Sequence, residues 1–413
     1  MNILSKYKKI LLVIGFVLII IIVGYFIYSL FLKPSLTPTG TTPTGTTTTP
    51  GGLPTAQTGQ GQIIETTDST GLPAKQGTII TPTPSQTAQG GLTTVKTINH
   101  LPTLNPNLSN DGSSVRYYSQ NDGKFYKINQ KGEAVLMSDK IFYEVENAVW
   151  SPKGDEAIIE YPDGSNIIYD FSTEKQITLP SHWKDFGFSP NGSQIVMKSI
   201  GLDTDNRWLA ISNKDGSQAK QIEALGEKDE TVHPSWQPNN QSIAMYTEGV
   251  NFDQQEVYFV GLHGENFKST VIEGRGFQPK WTPEGNQLLY SVYSSNNELK
   301  PNLWIVSADG ENIGSNRKNL NIETWADKCV FTNTTDIYCA VPEKLEAGAG
   351  LFPEMANNTK DNLYKIDTRT GLKKLVATPD NDYNMSNLIL SDNERYLYFT
   401  DQTNQSLHQI KLK

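Results

Sequence analysis

Five histidines and two cysteines are the scarcest residues in this 413-residue chain with chemistry to offer. His182 lies close to Asp185, and His233 follows Asp229 and Glu230. An imidazole beside carboxylates can hold a cation or move a proton, whereas a solvated loop position is the default for such residues. Asp203, Asp205 and Asn206 in the segment LDTDNRW offer oxygens suited to calcium, but the Gly and distal Glu of a full calcium loop are missing. Motifs of the GxSxG, HExxH, CxxC and GxxxxGK[ST] types are also missing. No metal, cofactor or catalytic residue is therefore expected. An alternative enzyme acting on glycans or peptides would draw on Asp185, Asp229, Glu230, Glu323, Asp327 and Asp382. It would need two carboxyls at a set separation, which spacing in sequence does not supply.

Bulk is the better lead. Tyr143, Trp183, Arg275, Trp325 and Tyr383 occupy connections between the repeat units described next. Their types are enriched at binding hot spots. Packing between units is the competing role. A longer segment, Pro342 to Asn362, carries an apolar tip of Leu351, Phe352 and Met355. Loops of this length in compact repeats are usually functional or disordered. The expectation is packing on the last unit first, with partner docking second.

The elements that position these residues recur seven times. Four-residue turns SNDG, SPKG, SPNG, QPNN, TPEG, TNTT and SDNE begin at Ser109, Ser151, Ser189, Gln237, Thr282, Thr332 and Ser391. Pro or Asn/Asp in second place presets a turn, and Gly or Asn in fourth place accepts positive φ. The residue before each turn is apolar: Leu108, Trp150, Phe188, Trp236, Trp281, Phe331 and Leu390. Further on, each unit has an apolar-x-apolar strand: FYKI, IIYD, WLAI, VYFV, LWIV, LYKI and LHQI. In the last of these His408 replaces a core aromatic, and packing is its expected role. A weaker edge strand follows, as in AVLMS, KQIEA, STVIE and KKLVA, so each unit is a four-stranded meander.

Anchors 38 to 59 residues apart fit the blades of a propeller. The fold class is all-β, a seven-bladed β-propeller over residues 92–413, with six blades possible if the degenerate last units merge. The final unit ends at Lys413 one strand short, and residues 94–98 (TVKTI) can supply that strand and close the ring. WSPKG, FSPNG and WTPEG resemble the TolB-type β-propeller repeat, with blades six and seven departing from it. That resemblance implies a fold used by periplasmic scaffold components, non-catalytic propellers of peptidases and surface proteins. It implies interaction and names no partner.

Residues 10–32 (ILLVIGFVLIIIIVGYFIYSLFL) are uncharged and as a helix would span about 34 Å, enough for a bilayer core. Lys6, Lys8 and Lys9 precede them and only Lys33 follows, which leaves residues 1–9 cytoplasmic and the rest across the membrane. The bulky YSLFLKPSL favours an uncleaved anchor over a signal peptide. Residues 33–91, rich in Thr, Pro, Gly and Gln, are expected to be a disordered linker. The formal charge of -9, more negative still beyond Lys9, disfavours nucleic acid. Outside the cytoplasm, Cys329 and Cys339, flanking the TNTT turn on neighbouring strands, are expected to form a disulfide; two buried thiols are the alternative.

These readings converge on a single-pass, membrane-anchored extracytoplasmic propeller that binds a protein or cell-envelope component. The expected contact residues are Tyr143, His182, Trp183, His233, Arg275, Trp325, Phe352 and Tyr383. A small-ligand or cation sensor using an acidic channel mouth is a third possibility beside scaffold and enzyme.

Overall fold

A computed structural model of the protein describes residues 83–129, 132–332 and 335–413. The first blade is Thr103–Leu108, Val115–Ser119, Lys124–Ile128 and Ala134–Leu136; the second is Asn147–Trp150, Glu156–Glu160, Asn166–Asp170 and Lys175–Leu179. Blade three is Trp183–Phe188, Gln194–Ile200, Arg207–Asn213 and Lys220–Ala224, and blade four is Val232–Pro234, Ser242–Asn251, Gln254–Gly261 and Thr270–Glu273. Blade five is Arg275–Trp281, Gln287–Tyr293, Pro301–Ser307 and Lys318–Asn319, and blade six is Cys329–Phe331, Asp336–Pro342, Asp361–Asp367 and Lys373–Pro379. Blade seven has Met385–Leu390, Tyr396–Asp401 and Leu407–Lys411 from its own stretch of chain.

Its fourth strand is Val95–Asn99, antiparallel to Leu407–Lys411 with Val95 opposite Ile410. The ring is therefore closed by N-terminal residues. First strands of successive blades contact one another around the ring, as between blades one and two, six and seven, and seven and one, so they surround the central axis.

The turn chemistry is visible atom by atom. The first residue of the turn turns its side-chain oxygen back to accept an amide five residues on: Ser114 N to Ser109 Oγ at 3.2 Å, Gln194 N to Ser189 Oγ at 3.0 Å, Tyr396 N to Ser391 Oγ at 3.0 Å. Gln237 Oε1 does the same for Ser242 N at 2.9 Å, which explains a Gln where other blades carry Ser or Thr. Fourth-place residues take the left-handed conformation, including Gly154 at φ 81, Asn240 at φ 64 and Glu394 at φ 51.

Between blades the core is apolar. Phe125, Phe142, Trp150, Tyr169 and Phe171 pack with ring centroids 4.9 to 6.3 Å apart between blades one and two. Such pairs contribute about 0.5–1.5 kcal/mol each beyond their buried area. Arg116, 1% exposed, stacks over Trp150 at 4.6 Å and donates to the carbonyls of Gly154, Ser151 and Leu108, tying blade one to the turn of blade two. In blade six Cys329 lies directly opposite Cys339, Cα atoms 4.1 Å apart, and the two sulfurs are bonded.

Two features differ from expectation. The folded head begins before residue 92: Ser85 bridges Thr93, and Gly91–Thr93 adds a parallel fifth strand to Lys373–Pro379 of blade six. Three residues flanked by glycine carry no alternation, so period-two reading passes over them. The long segment of blade six packs on blade five as well as blade seven, as described below. Residues 10–32 lie outside the described residues; among the described residues no helix is long and apolar enough to cross a membrane.

Candidate functional site

Antiparallel strands alternate in direction, so the start of each first strand and the loop between second and third strands emerge at the same end of every blade. We call this end the top face. Five of the eight residues singled out for contact belong to its connections, and Trp183, His233 and Arg275 sit at the start of a first strand beside them.

They do not all face solvent. Tyr143 is 73% exposed, Phe352 is 52% exposed, and His182 and His233 are exposed. Trp183 and Trp325, expected at the surface, are 5% and 7% exposed. Trp183 packs with Leu179, Phe186 and Met197, and Trp325 lies under Leu345, Ala349 and Ala356 of the long blade-six segment. A large ring beside a blade junction has more apolar area to bury there than a loop can leave exposed. Arg275 is spent on structure, its guanidinium donating to the Asn251 carbonyl at 2.8 Å. Tyr383 is half-buried against Phe399 and His408. His408 itself is 4% exposed, bonded to Ser406 Oγ at 2.6 Å, and burial pushes its imidazole down to about 4.

The carboxylates divide in the same way. Asp185, with φ 54, pairs with Lys198 at 2.8 Å, and Asp229 pairs with Arg207 at 3.0 Å. Glu323 lies 4.0 Å from Lys300, and Asp382 lies 3.9 Å from Lys360. Asp203, Asp205 and Asn206 fall at a single 3-10 turn. Among the described residues no group of three His, Cys, Asp or Glu is placed to hold a metal.

Two parts of the top face have built geometry. Between blades two and three lies a polar cleft of about 470 Å3, lined in part by Glu146, Asn147, Glu160, Tyr161, Lys184 and Asp185. Burial raises the Glu160 carboxyl; its bond from Asn147 Nδ2 at 2.7 Å opposes the shift, and the charges of Asp185 and Glu146 add to it. The cleft offers one carboxyl whose pKa is raised by burial, among groups that hydrogen-bond polar ligands.

On the other side the loops of blades four, five and six are joined into an arc. Asp253 accepts from Ser295 N at 2.6 Å and from Ser295 Oγ. Gly348 N donates to Glu298 O at 2.8 Å, and Gly350 N to Leu299 O at 2.7 Å, so the long segment rests on blade five. Its far end reaches blade seven, where Asn384 Nδ2 donates to Ala356 O at 2.8 Å. Leu345, Ala349 and Ala356 do the packing, while Leu351, Phe352 and Met355 face outward. Val250 and Phe252 extend the exposed apolar surface onto blade four, and Leu101, Ile141, Tyr143 and Leu202 occupy other top connections. On the loops of the opposite face, Leu372 is the one exposed large apolar residue among the described residues.

No protein-family model matches the chain, and no curated protein matches it. Solved structures do. The β-propeller domain of Cps50 (Swd1) from Myceliophteria thermophila has a TM-score of 0.52 at 9% identity, covering 77% of this chain and 100% of that one. Streptogramin B lyase gives 0.49 at 12% identity over 77% of this chain and 97% of its own. An oligogalacturonate lyase in complex with manganese gives 0.48 at 14% over 77% and 90%. Identities this low speak to fold alone, and the latter two likenesses carry no argument. The chain is a seven-bladed β-propeller protein.

Proposed function

We propose that the protein is a membrane-held binding module of the cell envelope: residues 10–32 anchor it, residues 33–84 space the head from the bilayer, and the top face docks a protein partner in the manner of TolB-type scaffolds. The observation carrying this is the arc. Exposed Val250, Phe252, Leu351, Phe352 and Met355 sit on loops already fixed to one another by the Asp253–Ser295 and Gly348–Glu298 contacts. Preorganised apolar anchors lower the ordering entropy that binding must overcome, and aromatic tips of this kind dominate interface energetics. Proximity labelling on intact cells tests it. The native chain should label a saturable partner, and the pair Phe252→Ser with Phe352→Ser should reduce that labelling at least about tenfold. Unchanged labelling by the variant removes the reading.

A second reading has one observation behind it. Glu160 lines the blade two–three cleft, accepts from Asn147 Nδ2 at 2.7 Å and has its carboxyl raised by burial, the placement a general acid acting on a glycan would need. Glu160→Gln would then abolish turnover of an envelope glycan without altering partner labelling; turnover retained by the variant rules it out.

A further inference from the structure

At the inner end of the arc, where blades five, six and seven meet, lies a cavity of about 210 Å3. It is built around a buried ion pair. Lys328, 3% exposed, places Nζ 2.7 Å from Asp361 Oδ2 and 2.8 Å from Asn384 Oδ1. Asn384, 2% exposed, lines the cavity and is fixed in turn by the carbonyls of Ala356 and Asn357. Asp361 Oδ1 is buried with no hydrogen-bond partner in the structure. A pair taken this far from water gains little stability over apolar residues of the same volume, which makes a positional role the better account of it.

The rest of the lining is hydrogen-bonding and planar. Gln278, Asp327, Glu354 and Gln402 ring the opening, and Trp325 forms part of the wall. Carboxamides and carboxylates present paired polar atoms at the spacing of vicinal hydroxyls, and an indole packs against apolar C–H groups. The volume falls below the range of drug-sized sites and suits one ring. Charge narrows the class: Lys328 is committed to Asp361, leaving Asp327 and Glu354 to repel anions.

We infer that this cavity is a binding site for a single neutral pyranose, held by Gln278 and Gln402 against Trp325, with Asn384, its amide already engaged, forming part of the wall. It goes beyond the docking surface proposed above: the two share the long blade-six segment, but Leu351, Phe352 and Met355 do not line the cavity. The test uses the full chain in detergent, with saturation-transfer NMR and calorimetric titration of glucose, N-acetylglucosamine, methyl β-glucoside and galacturonate. At least one neutral sugar should bind saturably and galacturonate should not. Binding of the methyl glucoside as well as free glucose would assign the site to a glycan terminus; binding of the free sugar alone would assign it to a monosaccharide. Gln402→Ala, at an exposed position, should weaken binding about tenfold without moving the thermal midpoint, and Glu354→Gln with Asp327→Asn should admit galacturonate. Absence of saturable binding by every neutral sugar, equal binding of galacturonate to the native chain, or unchanged affinity in Gln402→Ala would each overturn the inference. Phe352→Ser should leave sugar affinity intact while reducing partner labelling, so the two proposals fail separately.

Discussion

Asp253 of blade four accepts both the backbone amide and the hydroxyl of Ser295 in blade five, and through this contact the loops of neighbouring blades become one rim. The hydrogen bonds hold the Asp253 carboxyl below its usual range. In the variant Asp253→Ala the rim should loosen locally. Amide exchange at Ser295 should accelerate by an order of magnitude or more, while the global unfolding midpoint stays nearly unchanged. Exchange as slow as in the native chain would show that the rim is held by other contacts.

Ring closure rests on Val95 facing Ile410. Ile410 is fully buried, so Ile410→Ala should destabilise the head by about 2–5 kcal/mol through lost burial and the cavity left behind. Val95→Asp should cost about as much or more, since it buries a charge without a partner. Denaturant unfolding followed by tryptophan fluorescence measures both. Native stability in both variants would mean that the strand does not close the ring.

His408 gives the head an acid-sensitive point. Its folded value of about 4 lies below the unfolded value of 6.5, so between these limits the unfolded chain binds the extra proton. Stability is therefore unaffected above pH 6.5 and falls as pH drops toward 4, by up to about 3 kcal/mol from this group. His408→Phe, retaining the stack on Phe399, should remove that slope. Denaturation midpoints at pH 7 and pH 4.5 for both chains are the check; equal slopes would refute the assignment.

Cys329 and Cys339 close a short loop around TNTT, which like SDNE has neither Pro nor Gly. Replacing both by Ala should lower stability by about 2–3 kcal/mol. Thiol titration of the denatured, unreduced native chain should find no free thiol; two would contradict the bridge.

Much of this architecture is written locally. The turn at Ser189 to Gly192 can be read because its side chain, proline and glycine satisfy their own backbone within five residues. Closure by Val95–Asn99 follows from counting strands, and the facing cysteines follow from their distance to the TNTT turn. What escaped is non-local. Trp183 and Trp325 have the composition of hot spots, but composition cannot tell a ring that projects from one tucked between blades. The Gly348–Glu298 contact joins loops far apart in sequence through backbone atoms, which leave no residue signature, and the Asp253–Ser295 contact uses a carboxylate and a hydroxyl that resemble any other loop Asp and Ser. Lys328 and Asp361 look like solvated charges in sequence, and only the ring brings them together under the long segment.

The central claim, that the top face is where a partner docks, is tested most directly by photo-crosslinking from single positions of the full chain on intact cells. A benzophenone at Met355 should give a saturable protein adduct, and one at Leu372, more exposed still but on the opposite face, should give none. Adducts of equal yield from both positions, or from Leu372 alone, would contradict it.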